Sequence, residues 1–118
     1  MKPTAALLAL SAALLAAAPA LAQYTGPTAQ AVATSVQAIL DKPVDDQRVS
    51  LRGKVLRQVK GDKYIFSDGK AEIRVEIDQH LLPATPFNAD TLVEITGEVE
   101  KDFMESPEID VDTLRLLP

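Results

Sequence analysis

Carboxylates recur at alternate positions along three apolar stretches of this sequence. Glu72, Glu76 and Asp78 fall in one, Glu94 and Glu98 in the next, and Asp110 and Asp112 in the last. Residues two apart share one face of a β-strand, so each set comes out on the solvated side, with Arg74 among them. Such a surface attracts cationic peptides, polyamines or basic proteins and speeds their encounter in a salt-dependent way. The same residues also read as ordinary solubility charges, partly paired across strands with Arg52, Lys54 and Arg74.

Other chemistry is thinly supported. Glu105, Glu108, Asp110 and Asp112, with Glu100 and Asp102 nearby, offer oxygen donors suited to Ca²⁺. Their spacing matches no defined calcium loop, so no dedicated metal site and no cofactor are expected. There is no cysteine and a single histidine, His80, which removes thiol chemistry and makes a poor transition-metal site. His80 is also the one side chain that titrates near neutrality at its reference value. The nearest serines, Ser50 and Ser67, have no evident relation to it. The chain is read as a non-enzyme.

Single-stranded nucleic acid needs a positive groove and exposed aromatics for stacking. This chain has a net charge of −5 and no Trp. Tyr64 and Phe66 share one face of a strand, either as a stacking platform or as filling for the core. Lys54, Arg57, Lys60 and Lys63 give a small basic area that does not reverse the overall field. Nucleic acid is therefore excluded as a partner.

Residues 1–22 read as a secretory signal peptide. Lys2 supplies the positive start, residues 5–18 are Ala and Leu apart from Ser11, and Pro19 precedes the small residues Ala20 and Ala22. Cleavage is expected before Gln23, and loss of Lys2 takes the net charge from −5 to −6. The apolar run is short for a membrane span, which needs roughly 20 residues. No Cys follows the cleavage site, so no lipid anchor is expected. The expected location is the periplasm.

What remains is one domain. Residues 23–33, punctuated by Gly26-Pro27, read as a flexible arm. Thr34 is taken as the N-cap of a short helix over residues 34–41, with Val36, Ile39 and Leu40 at helical spacing and Lys42-Pro43 ending it. From Arg48 the period changes to two. Strands are expected at about residues 48–59, 63–67, 71–77, 91–99 and 108–116, joined by Gly61-Asp62, by Asp68-Gly69, and by loops holding Pro83, Pro86 and Pro107. In the first strand Val49, Leu51, Gly53, Val55, Arg57 and Val59 fall on one side, and Gly53 marks a bend. A mainly β, five-stranded antiparallel Greek-key barrel of the OB-fold type, with a short N-terminal helix, fits this pattern. So does a small sandwich or an SH3-like barrel.

A series of short motifs favours the first of these. Tyr24-x-Gly26-Pro27, Val49-x-Leu51-x-Gly53, Tyr64-x-Phe66-x-Asp68, Val75-Glu76-Ile77-Asp78, Val93-Glu94-Ile95-Thr96-Gly97-Glu98-Val99 with Lys101-Asp102, and Glu108-Ile109-Asp110-Val111 occur in this order. The series resembles the bacterial OB-fold (BOF) family of YgiW/YdeI-type periplasmic stress-tolerance proteins. The resemblance implies an OB-fold with an N-terminal helix, a periplasmic location, and a role in tolerance of oxidative, metal or cationic-peptide stress. It defines no catalytic residues. Where the family places tryptophans, this chain has Leu81 and Leu82 in one region and Phe103 in the other.

The resulting expectation is a non-catalytic binding protein, monomeric or weakly dimeric. Its ligand would be a cationic peptide, a small cationic molecule or another envelope-derived species. The ligand-facing residues would be Glu72, Arg74, Glu76, Asp78, Glu94, Glu98, Asp110 and Asp112, with Tyr64 and Phe66. The alternative is a module that docks on an envelope protein through Leu56, Leu81, Leu82, Phe87 and Phe103. A weak divalent-metal binder stands behind both.

Overall fold

Alternating apolar residues need a closed interior to face, and here they find it in a barrel. The structure, a computed structural model, describes residues 31–118. The signal peptide assigned to residues 1–22, the Tyr24-x-Gly26-Pro27 motif and most of the arm lie outside the described residues. A short helix α1 (Val36–Asp41) precedes strands β1 (Arg48–Lys60), β2 (Lys63–Ser67), β3 (Glu72–Glu76), β4 (Val93–Glu100) and β5 (Glu108–Leu116). The connection from β3 to β4 holds a 3₁₀ turn, Gln79–Leu81, that alternation did not reveal.

The barrel closes in the order β1-β2-β3-β5-β4. Pairings β1–β2, β1–β4, β2–β3 and β4–β5 are antiparallel. The closing pair β3–β5 is parallel, with Glu76 opposite Asp110. Two consecutive strands can be antiparallel neighbours through a hairpin, but this closure skips β4, and the intervening crossover lets β5 run alongside β3.

The interior is built from Val49, Leu51, Phe66, Ile73, Val75, Ile77, Val93, Ile95, Val99, Ile109 and Val111, all buried. Two expected inward positions on β1 do not join it. Arg57 and Val59 are exposed, because register shifts between Val55 and Arg57 and between Gln58 and Lys60 break the alternation there. A bulge inserts one residue and turns the following side chains to the other face.

Gly97 is required by close approach. A Cβ at this position would lie 2.1 Å from the carbonyl oxygen of Asp110, so no other residue lets β4 and β5 meet here. Gly53 is in the same situation, with the Ser67 carbonyl oxygen 2.0 Å from a Cβ.

Helix α1 covers one end of the barrel, burying Val36 and Ile39, with Leu40 packed at their side. Its N-cap is Ser35, not Thr34: the Ser35 hydroxyl accepts the Ala38 N–H at 3.3 Å. Ala33, the last residue assigned to the arm, forms a parallel bridge with Val49 through hydrogen bonds to Arg48 and Ser50 of 2.9 Å each. Docking Ala33 against β1 leaves the cap at Ser35, one residue later than Thr34, and the helix starting at Val36.

Candidate functional site

Strand register assembles the site. Read around the outside of the barrel, Lys63 of β2 faces Glu76 of β3, Glu76 faces Asp110 of β5, Asp110 faces Glu98 of β4, and Glu98 faces Arg48 of β1. One cross-strand row therefore carries three adjacent carboxylates with a cation at each end. The neighbouring row places Arg74, Glu108 and Glu100 side by side. Inward neighbours Val75, Ile109 and Val99 are fully buried, which holds these side chains on the outer face.

The ends of the row are neutralised. Arg48 Nη1 reaches Glu98 at 3.2 Å and Asp112 at 2.6 Å. Lys63 Nζ binds Glu76 at 3.0 Å and also contacts Glu108. The Glu108 hydrogen bond, the largest influence, holds the Lys63 ammonium above its ordinary value against the opposing effect of burial. Asp112 does the same for the Arg48 guanidinium.

The middle of the row is not neutralised. Partial burial, then the charges of Glu76, Asp112 and Asp78, push the Asp110 carboxyl up, while a side-chain hydrogen bond with Glu100 works the other way. Desolvation, followed by repulsion from Asp110, Glu76 and Glu108, pushes Glu100 up as well. A hydrogen bond between two carboxyl groups needs a proton on one of them. Like charges held this close favour taking up either a proton or an external cation.

The expected site residues thus divide. Glu76, Asp78, Glu98, Asp110 and Asp112 are brought together. Glu72 and Glu94 are not. Glu94 accepts from Arg52 at 3.0 Å and from Arg115 at 2.6 Å, and the Arg115 hydrogen bond, then the Arg52 one, holds its carboxyl below the usual range. Glu72 lies 3.8 Å from Arg57 and, with Arg74, lines a groove of about 460 Å³ between Leu40, Ile65 and the 105–108 loop. Arg74 itself leans toward Glu108 at 3.7 Å.

The aromatic pair also divides. Phe66 is fully buried, so it fills the barrel and offers no face for a ligand. Tyr64 is half-buried and lines a groove of about 280 Å³ with Leu56, Leu82 and Phe87. Glu100 and Glu108 were singled out in the sequence as oxygen donors, not as part of this face. They join it because the parallel β3–β5 ladder sets Glu108 beside Arg74 and the antiparallel β4–β5 ladder sets Glu100 beside Glu108. Among the described residues no three His, Cys, Asp or Glu side chains converge to hold a metal ion. His80 is exposed in the 3₁₀ turn.

Comparison with known proteins agrees with this architecture. Residues 15–116 match the model of the bacterial OB fold (BOF) proteins. The calcium-regulated OB-fold protein CarO of Pseudomonas aeruginosa is 40% identical over 96 residues, which cover 81% of this chain and 81% of CarO. Protein YgiW of Escherichia coli K12 is 39% identical over 71 residues, 60% of this chain and 54% of YgiW. The solved structure of YgiW from E. coli superposes with a TM-score of 0.66 at 34% identity, covering 80% of this chain and 97% of that one. The Stn1–Ten1 complex of Schizosaccharomyces pombe, at 19% identity and a TM-score of 0.58, shares the fold alone. The motif order, the barrel and the match over most of its length lead to one assignment: this chain belongs to the bacterial OB-fold (BOF) family.

Proposed function

We propose that this chain is a non-catalytic envelope protein that captures cationic ligands on the outer carboxylate face of β3, β5 and β4. The observation that carries the reading is the row Glu76–Asp110–Glu98, with Asp110 and Glu100 both held above their ordinary ionisation range. A cationic peptide or polyamine laid across the row supplies the charge that Arg48 and Lys63 provide only at its ends. The export signal read in residues 1–22 supports a periplasmic location, where such ligands are met. The named relatives carry no enzymatic description, which supports a binding role.

The test is calorimetric titration with a lysine-rich peptide at low and high salt, with Ca²⁺ and a single-stranded oligonucleotide in parallel. The reading requires peptide binding that fades as salt rises and no oligonucleotide binding. The double variant Asp78→Asn, Asp110→Asn should weaken the peptide roughly tenfold, equivalent to about 1.4 kcal/mol. Glu94→Gln, outside the row, should leave it unchanged. Equal affinity for wild type and the double variant would sink the proposal. Saturable Ca²⁺ binding lost in the double variant would replace the peptide reading with a divalent-cation one.

A further inference from the structure

The loop between β4 and β5 ends in a tip that is out of keeping with an acidic, water-facing surface. Phe103 is 91% exposed and Met104 86% exposed. The tip is nonetheless built. Lys101 Nζ donates to the Asp102 carbonyl at 2.9 Å and to the Glu105 carbonyl at 2.7 Å. The Glu105 N–H closes the turn on the Asp102 carbonyl at 3.3 Å, and Met104 is held at φ 68°. A loop tied in this way presents its apolar side chains without a large ordering cost on binding.

The same molecule carries a groove with complementary properties. Leu56, Tyr64, Leu82 and Phe87 give an apolar floor, Arg57 stands at its side, and the space is about 280 Å³. The β1–β2 hairpin, which lines one side of it, also bears Lys54 and Lys60, while the tip is flanked by Asp102 and Glu105. Phe103 does not line the groove of its own chain.

We propose that the Phe103–Met104 tip of one copy seats in the Leu56/Tyr64/Leu82/Phe87 groove of a second copy, with Asp102 and Glu105 set against Arg57 and the lysines of the β1–β2 hairpin. The contact is head-to-tail: each copy offers one tip and one groove. Its area is small, so the association is weak and concentration-dependent. It uses neither Asp110 nor its neighbours, and therefore stands or falls independently of cation capture.

The experiment is sedimentation equilibrium, from micromolar to near-millimolar protein, on the chain as its host processes it. Wild type should gain mass with concentration. Phe103→Ser and Arg57→Glu, both exposed and expected to fold, should each raise the dissociation constant about tenfold or more, as for other aromatic and arginine anchors. An equimolar mixture of the two variants should regain a dimer, because one still has its groove and the other its tip. The chain has no Trp, so Phe103→Trp adds a single reporter whose emission should shift to the blue as association proceeds. A wild type monomeric throughout, or variants that associate as wild type does, would overturn the proposal. So would a mixture that stays monomeric while wild type associates, since an intact tip would then have failed to bind an intact groove.

Discussion

The Val36 N–H donates to Asp68 Oδ2 at 3.0 Å across 32 residues of sequence. The other oxygen, Asp68 Oδ1, accepts the N–H groups of Lys70 and Ala71 at 3.0 and 3.1 Å. One carboxylate thus closes the β2–β3 turn and pins the first turn of α1 against the barrel. Burial alone would push this carboxyl up, but the hydrogen bonds from Val36, Lys70 and Ala71 together hold it below its ordinary value.

Asp68→Ala should therefore cost about 1–3 kcal/mol, the penalty of orphaning backbone donors, measured by urea unfolding at neutral pH. The sign of the pH dependence follows from the depressed value. The stabilisation is fully present above the unfolded-state pKa and is lost as pH falls through the folded one. The gap between wild type and variant should thus close at acid pH, as the pH falls below the ordinary range of an aspartate carboxyl. A gap that persists there would mean the side chain acts by packing and not by charge.

Asp110 and Glu100 should show the opposite sign. Their folded values are raised, by burial first and by neighbouring carboxylates second, so the native state binds protons more tightly and the ionised groups weaken the fold at neutral pH. Asp110→Asn should stabilise the protein at neutral pH by a few tenths of a kcal/mol, the scale of surface charge effects. The gain should shrink in high salt and as pH falls through the raised value. Chemical denaturation at several pH values measures it, and a loss of stability at neutral pH would contradict the crowding described above.

Gly97→Ala should cost about 3 kcal/mol or more, the upper end for overpacking, since it forces a Cβ to within 2.1 Å of the Asp110 carbonyl oxygen and so displaces backbone. Because Asp110 belongs to the carboxylate row, the variant should also disturb cation binding even where it remains folded. Backbone amide shifts at Asp110 and Val111 would report the displacement. A variant as stable as wild type would show that β4 and β5 can separate freely here.

Phe66→Ala should cost about 3–5 kcal/mol, as for a buried aromatic, whereas Tyr64→Phe should stay within about 1 kcal/mol. Thermal or urea unfolding of the pair separates core filling from surface display. Similar small effects at both positions would return Phe66 to the candidate binding surface.

Much of the carboxylate face was legible because outward residues on a strand announce themselves by alternation. Glu76 between Val75 and Ile77, Asp78 just after Ile77, and Asp110 between Ile109 and Val111 needed no structure to be placed on a solvated side. Their company did need one. Glu72 and Glu94 look identical to Glu76 and Glu98 in the sequence, yet Arg57 lies near the first and Arg52 and Arg115 neutralise the second. Which cation meets which carboxylate depends on register between strands, and alternation within one strand carries no information about register.

The chain's own pattern of apolar and polar residues determined that it forms a small, mainly β domain of five strands behind a short helix, because burying every second side chain requires strands packed on one interior. The order of the short motifs, not the alternation, favoured the OB-fold barrel. The tertiary structure alone decided that β3 and β5 pair in parallel, that bulges turn Arg57 and Val59 outward, and that Asp110 stands between Glu76 and Glu98. Those outcomes depend on contacts between residues distant in sequence, made when strands settle into one register among several that local preference leaves equally open.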